Sequence, residues 1–153
     1  MTVIVQESDF SLQQVIEELR KNPNTGAVVS FIGYVRNFTN TSKAAEEDKE
    51  SFMEIEHYPG MTEKSLMAIE NQTRQKWKVS DIRIIHRYGK LEINDQIVLV
   101  AVSSEHRTEA FRACEYIIDY LKTDAPFWKK EFDGKVSHWV NLNLSDIEKK
   151  NKW

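Results

Sequence analysis

Residues 96–122, QIVLVAVSSEHRTEAFRACEYIIDYLK, predict a β-strand followed directly by a long helix. Residues 96–103 are mostly β-branched or aliphatic, which is typical of a strand. From about Glu105 to Lys122 the apolar residues recur at helical spacing. Pro126 stands just beyond the predicted end of that helix, where proline commonly follows. The apolar face of the helix is formed by Ala110, Cys114, Ile117, Ile118 and Leu121.

The rest of the chain alternates short strands with helices around this unit. Residues 81–88 form another predicted strand. The connection from this strand to 96–103 passes through Asn94 and Asp95, so a hairpin is expected. The other predicted elements are strands at 2–6, 27–35, 52–58 and 136–142, a helix that starts after Ser11 and a helix at 62–77.

The predicted order of elements is therefore β-α-β-β-α-β-β-α-β, and two local features support its first half. Ser11 is the predicted cap of the first helix, and Gln14 is placed three residues on, as in a capping box. Gly33 lies inside the strand at 27–35 and indicates a bulge or a close backbone approach. Because several neighbouring strands look hairpin-linked, the order favours an α+β fold with a mostly antiparallel sheet and three main helices.

Length and composition indicate a single globular domain. The chain has 153 residues, of which 41% are hydrophobic and 29% charged, so we expect one domain over 1–153. Within it, 37–51 is predicted to be a mobile surface loop and 145–153 a polar C-terminal tail. A formal net charge of -3 argues against a nucleic acid as the main partner, because such binders usually show a basic excess.

The sequence also lacks the patterns of targeting and membrane segments. Residues 1–10 carry no basic region followed by an apolar run. The apolar runs are far shorter than the roughly 20 residues that a membrane span needs. The one cysteine, Cys114, excludes an internal disulfide and fits a reducing compartment. We therefore expect a cytoplasmic protein that has no membrane partner.

The segment 104–107, SEHR, is the first candidate for chemistry. If Ser104 caps the long helix, His106 and Arg107 lie in its first turn, where free N–H groups and the helix dipole favour anions. Cations at that end of a helix cost stability, which is a mild indication of function. An interpretation of equal weight is that both side chains are exposed and merely tolerated there.

The second candidate is Lys122 together with 127–131, FWKKE. Lys122 ends the helix, where a cation suits the dipole without any functional role. However, Pro126 and the two aromatic residues place bulky apolar groups beside Lys129. A partly desolvated lysine has a lowered pKa and can transfer protons or act as a nucleophile.

The third candidate is 31–37, FIGYVRN, in which Arg36 ends a predicted strand as the chain enters a loop. A planar guanidinium at such an edge suits the recognition of phosphate or carboxylate. A solvated strand end explains an isolated arginine in this position at least as well.

The remaining signals favour neither a metal nor another cofactor. The four histidines, His57, His86, His106 and His138, show no metal-ligand spacing, so no metal is predicted. The sequence contains neither a Walker loop nor a G-x-G-x-x-G motif. Cys114 lies on the apolar face of a predicted helix and is interpreted as a core residue.

Segments spread over about residues 26–142 together resemble the large, catalytic subunits of molybdopterin synthase, the MoaE family. The most specific segment is 119–131, DYLKTDAPFWKKE, because so long a string in this order rarely arises by chance. The other matching segments are 26–31 (GAVVSF), 33–37 (GYVRN), 56–61 (EHYPGM), 85–87 (IHR) and 104–107 (SEHR).

The resemblance implies an α/β-hammerhead-like fold and a sulfur-transferring enzyme of molybdenum cofactor biosynthesis. Such an enzyme converts cyclic pyranopterin monophosphate into molybdopterin, which carries a dithiolene. The sulfur comes from a small ubiquitin-like subunit, which carries it as a thiocarboxylate on its C-terminal Gly-Gly. The implied assembly is a heterotetramer, with a homodimer of large subunits at its centre and a small subunit at each end.

Carried onto this sequence, the resemblance implies that Lys122 and Lys129 are the catalytic lysines beside the thiocarboxylate. Lysines can both move protons and stabilise an oxyanion, so this chemistry requires no metal. The chain departs from the family pattern in its long loop at 37–51, in Asn143, where a relative has a basic residue, and in Ile118, a tolerated replacement for Met. The implied substrate-binding residues are Phe31, Tyr34, Arg36, His106, Arg107, Lys130 and Glu131.

Two other functions compete with this enzyme. A binding module without catalysis could use the same basic pocket for a phosphorylated ligand or for a partner's C-terminal tail. Such a module would not need both Lys122 and Lys129. A hydrolase could use Cys114 with His106, but a helix would separate this pair by roughly 12 Å, which is too far for a hydrogen bond.

Overall fold

The structure, a computed structural model, describes residues 2–38, 51–134 and 136–153, so the loop predicted at 37–51 lies almost wholly outside the described residues. Within them the chain forms eight strands and four helices. The strands are β1 (Val3–Gln6), β2 (Ala27–Tyr34), β3 (Phe52–His57), β4 (Asp81–Arg87), β5 (Gly89–Glu92), β6 (Gln96–Ser104), β7 (Phe127–Phe132) and β8 (Ser137–Trp139). The helices are α1 (Leu12–Leu19), α2 (Met61–Lys76), α3 (Arg107–Asp124) and α4 (Leu144–Asn151).

Strand β6 is the central element of the first sheet. This sheet has the order β1-β4-β6-β2, and its neighbouring strands are antiparallel except for β1 and β4. Every residue of β6 after Gln96 is buried, because α3 packs on one face of the strand and α1 on the other. The alternation of a strand divides its side chains accordingly. Val98, Val100 and Val102 join the main core, whereas Leu99 and Ala101 join a smaller cluster with α1.

The predicted antiparallel pairing of 81–88 with 96–103 is confirmed, but these strands do not form a simple hairpin. β4 and β6 pair with Ile84 opposite Val100. The chain between them forms β5, which leaves this sheet and pairs with β3. Leu91 of β5 is fully buried opposite Met53, so the burial of this side chain draws the connection into a second sheet.

The second sheet has the order β5-β3-β7-β8, with each strand antiparallel to its neighbours. Strand β7 was not among the predicted elements. Its residues Lys129, Lys130 and Glu131 are all charged, and they hide the alternation that usually reveals a strand. The strand predicted at 136–142 exists but is short, because β8 covers only Ser137–Trp139.

Two local predictions near the N-terminus are confirmed. The Ser11 hydroxyl accepts a hydrogen bond from the backbone N–H of Gln14 at 3.3 Å and caps α1. The register between β2 and β6 shifts between Gly33 and Tyr34, as expected for a bulge at the glycine.

The start of the long helix differs from its prediction. Helix α3 begins at Arg107 with His106 as its N-cap, so Ser104 does not cap it. Ser104 is instead the last residue of β6, opposite Ala27 of β2. Its buried hydroxyl donates a hydrogen bond to the carbonyl of Lys78 at 2.9 Å. Ser104 therefore belongs to the sheet and not, as predicted, to the start of the helix.

Residues 145–153, predicted as a polar C-terminal tail, contribute most of helix α4, a helix that was not predicted. The side chain of Asn143 caps the helix by accepting a backbone N–H two residues on. The helix packs against α3, and beyond its end Trp153 meets the rings of Trp77 and Tyr116 edge-on. This helix was not predicted because its sequence is largely polar and shows no clear apolar face.

The α+β class and the mostly antiparallel sheets are confirmed, with four helices instead of three main ones among the described residues. The main core joins the two sheets, since Met53 and Ile55 of the second sheet pack in one cluster with Ile84 and Val100 of the first. No helix in the described parts of the chain is long and apolar enough to cross a bilayer.

Gly26→Ala should destabilise the fold, because the backbone leaves no room for a side chain there. A Cβ at Gly26 would lie 2.1 Å from the backbone oxygen of Glu105. Relief of this overlap must move β2 away from the start of α3, which should cost about 1–3 kcal/mol or more. Chemical denaturation measures the loss. Asn24→Ala, at an exposed neighbour, is the control and should change stability by less than about 0.5 kcal/mol. Equal stability of the two variants would contradict the close approach.

Candidate functional site

The two predicted catalytic lysines flank the turn that joins α3 to β7. Lys122 lies exposed in the last turn of α3. Lys129 lies in the middle of β7, opposite Ile55 of β3. Residues opposite one another in an antiparallel pair share a face of the sheet, and Ile55 is 1% exposed. Lys129 therefore projects from the inward face of the second sheet, close enough to Lys122 for the two charges to interact.

The environment of Lys129 makes it an acid–base group. Burial, followed by the positive charge of Lys122, lowers the pKa of Lys129 from 10.5 to about 8. The carboxylates of Asp146 and Glu131 act in the opposite direction and limit the shift. Both the ammonium and the amine are thus accessible close to neutral pH. Such a group can donate or accept a proton during a reaction.

His86 lies beside the two lysines but was not among the predicted site residues. It lies on β4, is 2% exposed and stacks on Phe127 with ring centroids 3.6 Å apart. Its Nδ1 lies 2.8 Å from the carbonyl oxygen of Arg87, so this nitrogen carries a proton and donates. Burial lowers the pKa of His86 to about 3, and the charges of Lys129 and Lys122 contribute to the shift. The ring therefore stays neutral and adds no third cation. The contact between His86 and β7 connects the two sheets. The sequence around His86 does not predict it, because His86 and Phe127 are far apart along the chain.

Glu131 and Lys130 lie on opposite faces of β7. Glu131 shares the inward face with Lys129, and its carboxylate is 3.3 Å from Nε2 of His138 on β8. Lys130 projects from the other face, where its ammonium lies 5.2 Å from the ring centre of Trp139. The structure therefore places Glu131 beside the two lysines and turns Lys130 away from them.

Three other predicted ligand residues lie at or near the end of β2. Phe31 is half-buried against the main core, Tyr34 is 52% exposed, and Arg36 follows on the surface. Strand β2 ends where β6 begins, with Tyr34 opposite Gln96. Helix α3 starts after the far end of β6 and packs on both strands, so its last turn, with Lys122, points toward the same end of the sheet.

His106 and Arg107 lie at the opposite end of α3. Both are exposed, and the side chain of His106 is 73% exposed. At about 1.5 Å per residue, the helix sets His106 roughly 24 Å from Lys122. Within one chain, the structure does not bring these two residues to the lysines.

The described residues offer neither a reactive thiol nor a cluster of metal ligands. Cys114 is 3% exposed, and its Sγ lies 3.9 Å from the carbonyl oxygen of Val100. Burial raises the pKa of the Cys114 thiol to about 12, so it stays protonated and is a poor nucleophile. Among these residues no group of three or more His, Cys, Asp or Glu is arranged to hold a metal ion.

The fold and the site together define an α+β protein with an acid–base centre suited to an anionic ligand. Two lysines meet at one turn, one of them with a pKa near neutrality. Basic side chains occupy both ends of α3, at His106 and Arg107 and at Lys122. Within one chain, only the end with Lys122 adjoins the acid–base group Lys129.

Comparison with known proteins identifies the family. The chain matches the family model described as MoaE protein over residues 5–124. The molybdopterin synthase catalytic subunit of Ralstonia nicotianae is 50% identical over 153 residues, which cover 99% of this chain and 84% of the relative. The chain belongs to the MoaE family of molybdopterin synthase catalytic subunits, and the resemblance found in the sequence is confirmed.

Solved structures support the same assignment. Molybdopterin cofactor biosynthesis protein E from Burkholderia multivorans matches with a TM-score of 0.81 and 44% identity, over 99% of this chain and 95% of that chain. A chain from the protein–protein complex of subunits 1 and 2 of the Helicobacter pylori molybdopterin-converting factor has a TM-score of 0.74. It is 16% identical over 92% of this chain and 91% of that chain, so it shares the fold alone.

Cys114→Ser should remain active but become less stable. The substitution places a hydroxyl in an apolar site, which costs on the order of 1–3 kcal/mol where no partner is available. Chemical denaturation and a molybdopterin turnover assay measure the two effects. Cys114→Ala is the matched control, since it removes the sulfur without adding a polar group. A stable but inactive serine variant would restore the cysteine mechanism.

Proposed function

We propose that this chain transfers sulfur from a thiocarboxylate to cyclic pyranopterin monophosphate and so forms the dithiolene of molybdopterin. The observation that carries the proposal is the pair of lysines at the α3–β7 turn, in which Lys129 has a pKa of about 8 beside Lys122. Sulfur transfer requires proton movement and the stabilisation of an oxyanion, and two such lysines can provide both. The proposed chemistry needs no metal.

The proposed sulfur donor is a small ubiquitin-like subunit with a thiocarboxylate on its C-terminal Gly-Gly. Support comes from the family, because its members are named as catalytic subunits of a synthase. The Helicobacter pylori chain that shares this fold comes from a protein–protein complex of subunits 1 and 2. We propose that two copies of this chain form the centre of a heterotetramer with one small subunit at each end. We also propose a cytoplasmic location, which suits a free, buried Cys114.

The proposed reaction forms a carbon–sulfur bond and then breaks an acyl–sulfur bond. The thiocarboxylate sulfur attacks a pterin side-chain carbon that carries oxygen, and the C–O bond at that carbon breaks as the C–S bond forms. The oxygen leaves with a proton as water, or as an oxygen of the phosphate when the cyclic ester opens. Two such transfers, from two carrier subunits, supply the two sulfurs of the dithiolene. Water then attacks the carbonyl carbon, and the carrier leaves with an ordinary carboxylate while the sulfur stays on the pterin. The addition of water creates an oxyanion and releases a proton. We assign the oxyanion to the ammonium of Lys122 and the proton to the amine of Lys129.

The substrate phosphate requires cationic or hydrogen-bonding partners. The proposed ones are Arg36, after the end of β2, and His106 and Arg107, at the start of α3. Arg36 is at the end that carries the lysines, and it can bind phosphate through a planar pair of N–H groups. His106 and Arg107 are at the other end, next to the free N–H groups of the helix start. The other proposed contacts with the ligand are Phe31, Tyr34, Lys130 and Glu131.

A complete site requires two chains. The roughly 24 Å between His106 and Lys122 along α3 is longer than a pterin monophosphate. If both groups contact one ligand, they must come from different chains. A two-fold dimer sets His106 and Arg107 of one protomer against Lys122 and Lys129 of its partner, twice over.

Lys122→Ala and Lys129→Ala should each reduce dithiolene formation by at least about 100-fold, because each removes one of the two proposed functions. The assay mixes the chain with a thiocarboxylated small subunit and the cyclic pterin, in the presence of a metal chelator, and detects the product by mass spectrometry. Lys149→Ala, at an exposed lysine of α4, is the matched control and should leave the rate unchanged. Wild-type rates in either test variant, with normal thermal melting, would rule out that lysine.

The shared site predicts complementation between two inactive variants. Arg107→Ala chains and Lys122→Ala chains are mixed under conditions that exchange subunits. A mixed dimer then contains one site without either defect and one site with both, so up to half of the activity of that dimer should return. Subunit exchange is followed by native mass spectrometry. Proven exchange without any recovered activity would place the whole site within one chain.

A further inference from the structure

Helix α4 is fixed to the C-terminal half of α3 by the residues at its own end. The indole N–H of Trp153 donates a hydrogen bond to Oδ2 of Asp119 at 2.7 Å. The same indole meets Trp77 and Tyr116 edge-on, with centroids 5.5 and 5.6 Å apart. Asp119 is 7% exposed, and the ammonium of Lys152 lies 3.8 Å from its carboxylate. A buried carboxylate needs such partners, so this contact holds the helix firmly.

The contacts also show that α4 runs antiparallel to α3. Lys150 pairs with Asp124 at 2.6 Å, whereas Trp153, later in α4, pairs with Asp119, earlier in α3. The first turn of α4 must therefore extend past the end of α3, next to the turn that leads into β7. Asp146 lies in that first turn, four residues before Lys150 and on the same side of the helix.

The backbone between β8 and α4 leads to the same place. The N–H of Val140 donates to the carbonyl of Lys129 at 2.8 Å. Asn143, the N-cap of α4, follows shortly after Val140, and Asp146 follows in the first turn. Helix packing and chain path thus independently bring Asp146 to the site.

Charged groups on α3, β7 and α4 act on Lys129. Lys122 projects from α3, Glu131 from β7 and Asp146 from α4, while His86 of β4 is neutral. Lys122 favours loss of the proton from Lys129, and the two carboxylates favour its retention. Of the two carboxylates, only Asp146 is on an element outside the second sheet, and contacts with α3 hold that element in place.

We propose that α4 is a functional part of the site, in which Trp153 anchors the helix and the anchored helix holds the carboxylate of Asp146 within electrostatic range of Lys129. Asp146 is then a positioning residue for Lys129, and Trp153 acts through Asp146. The inference rests on the proposed function only for the importance of Lys129.

Titration of Lys129 by NMR tests the placement of Asp146. The Cε signal of Lys129 in the full chain, labelled with ¹³C-lysine, is assigned by its absence in Lys129→Arg and followed against pH. Asp146→Asn should lower the midpoint by about one unit, because the carboxylate that favours the ammonium is lost. Asp146→Glu should restore the midpoint. Glu148→Gln removes an exposed carboxylate from the same helix, so it is the matched control and should change nothing.

The anchor is tested in the same titration. Trp153→Ala should shift the midpoint in the same direction as Asp146→Asn. The double variant should shift it no further than the larger single one, because both changes act through one charge. Trp153→Phe keeps an aromatic ring without the N–H, and it replaces the alanine variant if that variant does not fold. An unchanged midpoint in Asp146→Asn overturns the proposal, and additive shifts overturn the part played by Trp153.

This titration needs no substrate, so its outcome is separate from that of the proposed function. If Lys129→Arg retained full turnover while Asp146→Asn still shifted the Lys129 midpoint, the catalytic role of Lys129 would fail and the placement of α4 would stand. In the turnover assay, Asp146→Asn should move the pH dependence of kcat to lower pH, and Asp146→Glu should return it.

Discussion

The register between β3 and β7 is the constraint on which the site depends. It sets Lys129 opposite Ile55, on a face that otherwise presents core side chains to the interior. A slip of one residue would turn Lys129 outward and bring Lys130 inward, since side chains alternate along a strand. The lowered pKa of Lys129 follows from loss of hydration at this position, with Lys122 as the second cause. Strand pairing therefore gives this lysine chemistry that its neighbour in sequence does not have.

The groups around Lys129 balance one another. Two lysines close together repel, and a partly buried ammonium loses solvation, so the pair by itself would be unfavourable. Glu131 and Asp146 offset part of this cost from β7 and α4. His86 fills the space beside Phe127 without charge, because its ring is buried and stays neutral. The site is therefore poised between protonated and neutral Lys129.

The sequence predicts those features whose causes are local. The apolar run of β6, the helical spacing of α3 and the serine cap of α1 depend on neighbouring residues, and all three elements are present. Strand β7 was not predicted because Lys129, Lys130 and Glu131 are all charged. They lie on both faces of the strand, so the sequence shows no alternation of apolar and polar residues. The prediction that Ser104 caps the long helix was wrong, because Ser104 pairs with β2 as the last residue of β6.

The candidate site divides in the same way. Lys122 and Lys129 could be identified from their apolar neighbours and from the family resemblance. The burial of Lys129 depends on pairing with β3, and the contact between His86 and Phe127 depends on the meeting of two sheets. Helix α4 offered few apolar residues as a signal, since much of its attachment to α3 consists of ion pairs and one indole.

The path of the chain through β4, β5 and β6 has a mechanical consequence. After β4 the chain leaves the first sheet and forms β5, which pairs with β3 in the second sheet. The chain then returns to the first sheet as β6, next to β4. Strand β5 thereby connects the two sheets, and its residue Leu91 is fully buried between them. Opening the second sheet alone would require β5 to leave its partner and expose that leucine to water. The two sheets should therefore melt as one cooperative unit, because β7 is linked through β3 and β5 to the chain that continues into the central strand of the other sheet.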